Sequence, residues 1–285
     1  MGAVIAFNPI SGGGLARSVA AKLARSLDAP LAEAHRLDAA LADQRPDAIV
    51  VVGGDGTIRR AAAALLRAAC DAPLVVVPAG TANLIARHLR IDTAPDTLID
   101  GVLTRLRSGR ARRLDVGLID GSPFLVMVGV GFDAAVVQLV EAARTGPISM
   151  GSYLPAIAAA LWRHEFADLD VRADSQRIWA GRPGLAFVCN LPEYGAFTPI
   201  APQAQGDDGL LDLCVLPCER GEDLPALYLK VAAGEHLSMP DAVWTRCREA
   251  TIESATPTPV QADGESAGRL PVHVRMHPRL IAFLA

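Results

Sequence analysis

Short runs of β-branched residues alternate with alanine-rich segments of helical period through the first third of the chain, and this alternation restricts the fold more than any other feature. Val4 to Phe7 reads as a strand, Leu15 to Leu27 as a helix and Ala48 to Val52 as a buried strand. Ile58 to Ala69 then reads as a helix, Leu74 to Val77 as a strand, and Asn83 to Leu89 as the start of a further helix. Strands that alternate with helices predict a layered α/β domain with a largely parallel sheet, here over residues 1–113. In such sheets ligands bind beyond the carboxyl ends of the strands.

From about Leu114 the texture changes. Asp115 to Ile119, Phe124 to Val130, Leu169 to Val171, Ile178 to Ala180, Leu185 to Asn190 and Leu210 to Leu216 all read as strands. Helical patterns interrupt at 133–144 and 152–164, and Pro/Gly turns punctuate the rest. A second, β-rich domain over 114–277 is the inference. The last apolar strand, Leu280 to Leu284, can pack on either domain, so a terminal segment of about 278–285 can return to the first.

With 285 residues, 51% of them apolar and 20% charged, the chain can bury a large core and is not expected to be disordered. Its longest apolar stretch, Leu154 to Trp162, is far short of the roughly 18 residues that suggest a membrane span. The start, Met1 to Phe7 before Asn8, has no basic segment and no signal-peptide apolar block, so a cytosolic protein is expected. Gly2 does not make a myristoylation motif, because Ala6 stands where Ser or Thr is needed. The five cysteines are scattered without a CxxC pair, which fits reduced thiols better than disulfides or zinc. A net charge of −4 and dispersed tryptophans argue against nucleic acid as a partner. Lysine occurs only at 22 and 230, so a P-loop lysine is absent.

Three strand-to-loop junctions carry the chemistry. Phe7 is followed by Asn8, Pro9, Ile10, Ser11 and Gly12 to Gly14; Val52 by Gly53, Gly54, Asp55, Gly56 and Thr57; Val77 by Pro78, Ala79, Gly80, Thr81, Ala82 and Asn83. Glycines let a backbone approach phosphate closely, and exposed N–H groups at a helix N-terminus favour its charge. Each loop also has a plainer reading. Asp55-Gly56 is a hairpin signal, Gly12 to Gly14 can be a flexible turn, and Thr81 or Asn83 can cap a helix. Their shared position at one sheet edge favours a polyphosphate site.

The ordered set Asn8-Pro9-x-Ser11-Gly12, Gly53-Gly54-Asp55-Gly56-Thr57 and Pro78-x-Gly80-Thr81-x-Asn83 resembles the diacylglycerol kinase catalytic family, which includes sphingosine, ceramide and bacterial lipid kinases. Later segments agree: Gly131-Phe132-Asp133-Ala134, Ala201-Pro202 leading to Asp208-Gly209-Leu210-Leu211-Asp212, and Gln261-x-Asp263-Gly264-Glu265. The resemblance covers nearly the whole chain. GGDGT by itself also occurs in NAD kinases and phosphofructokinases; an NAD kinase leaves Asn8-Pro9-x-Ser11-Gly12 unexplained, and a non-catalytic sensor would tolerate loss of Asp55 or Glu265, which are both present.

The resemblance implies an N-terminal α/β domain, a C-terminal β-sandwich domain and a nucleotide cleft between them. It implies transfer of the ATP γ-phosphoryl group to a lipid hydroxyl, diacylglycerol by default, with ceramide or a sphingoid base as alternatives. By carry-over Asn8 to Gly12, Gly53 to Thr57, Gly80, Thr81 and Asn83 form the nucleotide site, Asp55 organises Mg2+, and Glu265 is the general base, Asp55 being the competing candidate. Asp208, with backbone carbonyls of Gln205 and Leu210, resembles a structural magnesium loop, while Asp207-Asp208-Gly209 and Asp263-Gly264-Glu265 also read as ordinary hairpin turns. Arg59 and Arg60 depart from the family's usual Asn and Glu, Gly13 follows Ser-Gly where a basic residue is common, and a threonine is missing near Leu37. The expected setting is cytoplasmic, peripheral to the inner face of the cell membrane, with a membrane lipid as substrate and a homodimer allowed. Arg105, Arg107, Arg110, Arg112 and Arg113 form either a membrane contact or a solvated helix end.

Overall fold

The computed structural model describes residues 2–43, 45–92, 97–143, 146, 150–195 and 198–285. They form two compact units, 1–114 with 279–285, and 115–278.

In the first unit the elements are β1 (Ala3–Phe7), α1 (Leu15–Leu27), β2 (Leu31–Glu33), α2 (Leu37–Asp43), β3 (Ala48–Gly53), α3 (Asp55–Arg67), β4 (Leu74–Pro78), α4 (Leu84–His88), α5 (Leu98–Ser108) and β5 (Ala111–Leu114). The chain's last strand, here β19 (Ile281–Leu284), completes a six-stranded sheet of order β2-β1-β3-β4-β19-β5. All pairs are parallel except β19 with β5. Alternate residues of a strand point to opposite faces. Because every residue of β1, β3 and β4 is buried, the sheet is covered on both sides, which explains the unbroken Val/Ile runs. Ile5, Val50, Val52, Val75 and Val77 pack with Ala16, Ala20 and Leu23 of α1 and with Leu98, Val102 and Leu106 of α5. Ile58, Ala61, Ala62 and Leu65 form the buried stripe of α3.

The second unit contains β6 (Gly117–Ile119), β7 (Ser122–Phe124), β8 (Met127–Val130), α6 (Phe132–Ala142), α7 (Tyr153–Arg163), β9 (Asp168–Ala173) and β10 (Gln176–Cys189). There follow the two-residue strands β11 (Glu193–Tyr194) and β12 (Thr198–Pro199), then β13 (Leu211–Pro217), α8 (Leu224–Ala233), β14 (Val243–Cys247), β15 (Glu249–Glu253), β16 (Pro259–Ala262), β17 (Glu265–Arg269) and β18 (Val272–Met276). The helical reading at 133–144 ends on Arg144, which lies outside the described residues. All pairings here are antiparallel, along β17-β16-β8-β10-β9-β15-β18-β6-β7, with β13 joining β10 to β14.

The long strand β10 organises this unit. Its first half pairs with β9 and its second with β8 and β13, with irregular register around Trp179 and Gly181. Gly181 has φ +55°, and the Trp179 indole N–H donates to the Arg182 carbonyl at 2.9 Å across the bend. A Cβ on Gly184 would lie 3.0 Å from the Trp179 ring, so the bend closes around a glycine. Val128, Val171, Trp179, Val188, Leu213, Ile252 and Val272 then share one core, as expected when two β layers face each other.

Candidate functional site

The three loops of the first unit meet through their backbones. The N–H of Asn8 donates to the Val52 carbonyl at 3.3 Å, and that of Ala79 to the Gly53 carbonyl at 2.9 Å. Gly12 has φ +59°, and a Cβ there would lie 3.0 Å from the Ala79 carbonyl oxygen. A Cβ on Gly80 would fall 2.5 Å from the Gly54 Cα. Only glycine at 54 and 80 allows this approach, so the second and third loops are locked edge to edge. Within the first loop, Ser11 N–H donates to the Asn8 carbonyl at 3.1 Å, and Pro9 and Ile10 form the outer curve, Ile10 being exposed.

Gly54 is the N-cap of α3 and supplies no side-chain cap, so the helix N-terminus is open to an anion, with the Asp55 N–H turned toward its own carboxylate. Thr57 is buried, and a Cβ on Gly53 would fall 2.3 Å from its hydroxyl oxygen, so the Thr57 side chain packs beneath the loop. Arg59 and Arg60 continue α3, and Leu37 is fully buried at the start of α2.

Asp55 ties the loop set together. Its Oδ2 accepts the N–H of Leu84 and its Oδ1 that of Ile85, each at 3.0 Å, so it caps α4 from another element. Burial pushes its pKa up, and these N–H donors pull it back. Asn83, in the left-handed region at φ +49°, completes the third loop by exchanging hydrogen bonds with the N–H and carbonyl of Gly80, both at 2.9 Å. Thr81 lies in this turn, between Gly80 and Asn83.

In the second unit, Asp263 and Gly264 form the two-residue turn between β16 and β17, at φ +51° and +77°. Asp263 does more than turn the chain. Its carboxylate accepts the N–H groups of Leu125, Val126 and Met127 at 2.8, 2.8 and 3.0 Å, pinning the β7–β8 connection to the turn. Glu265, half-buried, opens β17 opposite Ala262. Asp263 is thus a clamp beside the candidate base.

The 205–210 loop is built on an Asx turn. Asp208 Oδ1 accepts the N–H of Leu210 at 3.0 Å, while its Oδ2 is buried without a hydrogen-bond donor, 3.6 Å from Arg246 Nη1. Sequence reading missed the supports of this loop. Asp115 Oδ2 accepts Gly209 N–H at 2.8 Å, and the N–H of Asp115 donates to the Gly206 carbonyl at 2.6 Å. Burial first, then the Asp208 and Asp207 charges, raises the Asp115 pKa. Asp212, also buried, accepts Trp244 Nε1–H at 2.8 Å. Asp212 closes the motif already read, but Asp115, Trp244 and Arg246 lie far from the loop in sequence, and no local spacing signals them. Among the described residues no group of three or more Asp, Glu, His or Cys side chains is placed to hold a metal. The one feature here that suits a hard cation is the Asp208 oxygen lacking a donor.

The first unit is thus a parallel α/β sheet with three glycine-rich loops brought together, and the second an antiparallel β unit. Residues 2–119 match the diacylglycerol kinase catalytic domain, and residues 126–285 match the YegS C-terminal NAD kinase beta sandwich-like domain. The chain belongs to the diacylglycerol kinase family. A Mycobacterium tuberculosis protein named diacylglycerol kinase is 30% identical over 257 residues, covering 88% of this chain and 81% of that protein. The Bacillus subtilis diacylglycerol kinase is 27% identical, covering 79% and 73%. An uncharacterized Synechocystis protein is 26% identical over 83% of this chain, which spans only 54% of that protein's length. A crystal structure of a diacylglycerol kinase from Bacillus anthracis shares the fold, with TM-score 0.71 and 18% identity over 99% of this chain and 96% of that one.

Proposed function

We propose that this chain transfers the γ-phosphoryl group of ATP, with Mg2+, to the hydroxyl of a diacylglycerol-type lipid. The observation that carries the reading is the convergence of three glycine loops, Gly12 on Ala79 and Gly54 on Gly80, at the carboxyl ends of β1, β3 and β4, in a chain of this family. Asn8 to Gly12, Gly53 to Thr57 and Gly80 to Asn83 line the nucleotide site; the N–H groups of Asn8, Ile10, Ser11, Thr57 and Gly80 hold the loops in shape, which leaves the N-terminus of α3 to meet the phosphates. Asp55, with both oxygens already engaged, keeps lone pairs for a magnesium-bound water. Mg2+ would neutralise developing negative charge on the phosphates.

Glu265 accepts the proton of the lipid hydroxyl as its oxygen bonds to the γ-phosphorus and the bond from that phosphorus to the leaving ADP oxygen breaks. Lipid bound against the carboxylate would keep water from the proton transfer. Asp208 with the carbonyls of Gln205 and Leu210 would hold a second, structural Mg2+. The test is transfer of label from ATP to a panel of diacylglycerol, ceramide, a sphingoid base and NAD. Labelled diacylglycerol supports the reading, and labelled NAD alone overturns it. Glu265→Gln should lower kcat roughly 100-fold or more and leave the KM for ATP near normal. Near-normal kcat in that variant would move the base to Asp55.

A further inference from the structure

The Gly131-Phe132-Asp133-Ala134 motif has no part in the chemistry above. Asp133 is the second residue of α6, half-buried as a residue but with its carboxylate turned inward, so that Oδ1 is out of reach of solvent. Its Oδ2 accepts Gln261 Nε2–H at 2.9 Å; Oδ1 makes no hydrogen bond of normal geometry, and the carboxylate also faces the first-turn N–H groups of Asp133 and Ala134. Gln261, itself buried, uses Oε1 to accept the N–H of Gly264 at 2.8 Å. The amide orientation is forced. A backbone N–H can only donate, so Gly264 must meet Oε1, which turns Nε2 toward Asp133 and requires an acceptor there. Gly129 makes room for the pair, since a Cβ there would lie 2.2 Å from Asp133 Oδ2 and 2.7 Å from Gln261 Nε2.

Gly264 is the residue before Glu265. The same helix grips this hairpin twice more: Glu141 Oε1 accepts the N–H of Ser266 at 3.0 Å, and Gln138 Nε2 donates to Ser266 Oγ at 3.4 Å. On the other side Asp263 binds the backbone of residues 125 to 127. We propose that Asp133, acting through Gln261, is a positioning residue that fixes the turn presenting Glu265; this rests on Glu265 being the proton acceptor. The plainer alternative is that Asp133 only favours the N-terminus of α6, as an acidic residue in a first turn does. That role needs neither Gln261 nor Gly264. Burial with one oxygen lacking a donor is costly, whereas a charge-assisted bond to Gln261 stiffens the turn.

The test combines amide hydrogen exchange at Gly264 with kinetics of Asp133→Ala, Asp133→Asn and Gln261→Met, each with Glu265 intact and in a Glu265→Gln background. Asp133→Ala and Gln261→Met should speed Gly264 exchange about 10-fold or more. With Glu265 intact they should lower kcat roughly 10- to 100-fold, the KM for ATP moving less than about twofold. Asp133→Asn still offers an oxygen to Gln261 and should recover most of both properties. In the Glu265→Gln background the same changes should leave the residual rate alone. Unaltered Gly264 exchange in Gln261→Met, or an equal loss of kcat in both backgrounds, would overturn the assignment. If the unsubstituted enzyme phosphorylates no lipid, the lipid-kinase reading fails, while Gly264 exchange still decides whether the relay exists.

Discussion

Three carboxylates in the sequence motifs look alike and do different work. Asp55 accepts two N–H groups of α4, Asp263 accepts three from the β7–β8 connection, and Glu265 opens a strand. Asp55→Asn therefore does more than remove a charge. One of its two positions becomes an NH2 facing the N–H of Leu84 or Ile85, so about 1–3 kcal/mol of stability should go together with turnover. Denaturant unfolding checks this: full stability with lost activity would restrict Asp55 to the metal. Asp133 gives the pH prediction. It faces Gln261 on β16, Gly129 on β8 and Cys189 on β10, whose thiol burial holds protonated. Burial raises its pKa from 3.8 to about 6, so between these values the folded chain keeps a proton that the unfolded chain has lost. This contribution is full below about pH 4 and lost as pH rises through about 6, a cost on the order of 3 kcal/mol at neutral pH. Asp133→Asn should raise Tm at about pH 8 and leave it unchanged at about pH 4. An equal shift at both would indicate repacking instead.

Strands that bury both faces were legible, because unbroken Val/Ile runs leave no competing period, so β1, β3 and β4 were readable nearly residue by residue; α1 was readable from its helical period, with Ala16, Ala20 and Leu23 on one buried face. Elements defined by distant partners were not. The strands β14, β15, β17 and β18 mix charged and apolar residues, β16 is a four-residue run of PVQA, and all five exist through pairing with β13, β9, β8, β6 or one another. Arg182-Pro183-Gly184 reads as a turn that separates two strands, whereas it lies within one strand, β10, that bends between two sets of partners. In the site, the glycine loops could be read directly, but their contacts could not: that Gly54 lies on Gly80 depends on β3 and β4 being neighbours. Gly80→Ala tests this junction. Its methyl group must force the second and third loops apart, costing about 1–3 kcal/mol. The KM for ATP should rise about tenfold, with lipid KM little changed. A normal KM for ATP would show that the junction does not shape the nucleotide site.

At the scale of the whole molecule, the question is how a chain of net charge −4 could reach a lipid. Among the described residues no helix is long and apolar enough to cross a membrane. A surface contact would have to be local, and the arginines from 105 to 113 are the candidate, though they are not equivalent. Arg105 is partly buried on α5, its Nε–H donating to the Gly101 carbonyl at 3.1 Å, and burial lowers its pKa. Arg107, Arg110, Arg112 and Arg113 are exposed. Arg112 and Arg113 lie on β5, an edge strand, where charge also discourages pairing with another sheet. The two roles differ in their dependence on lipid charge. For contact with anionic lipid, each exposed arginine contributes on the order of 1 kcal/mol near the surface, and added salt weakens it. Replacing Arg107, Arg110, Arg112 and Arg113 by Gln should abolish co-sedimentation with vesicles containing phosphatidylglycerol, whereas Arg105→Gln should lower stability and leave binding near normal. If the unsubstituted protein binds neutral and anionic vesicles equally, Arg112 and Arg113 serve only the sheet edge, and Arg107 and Arg110 are a solvated helix end.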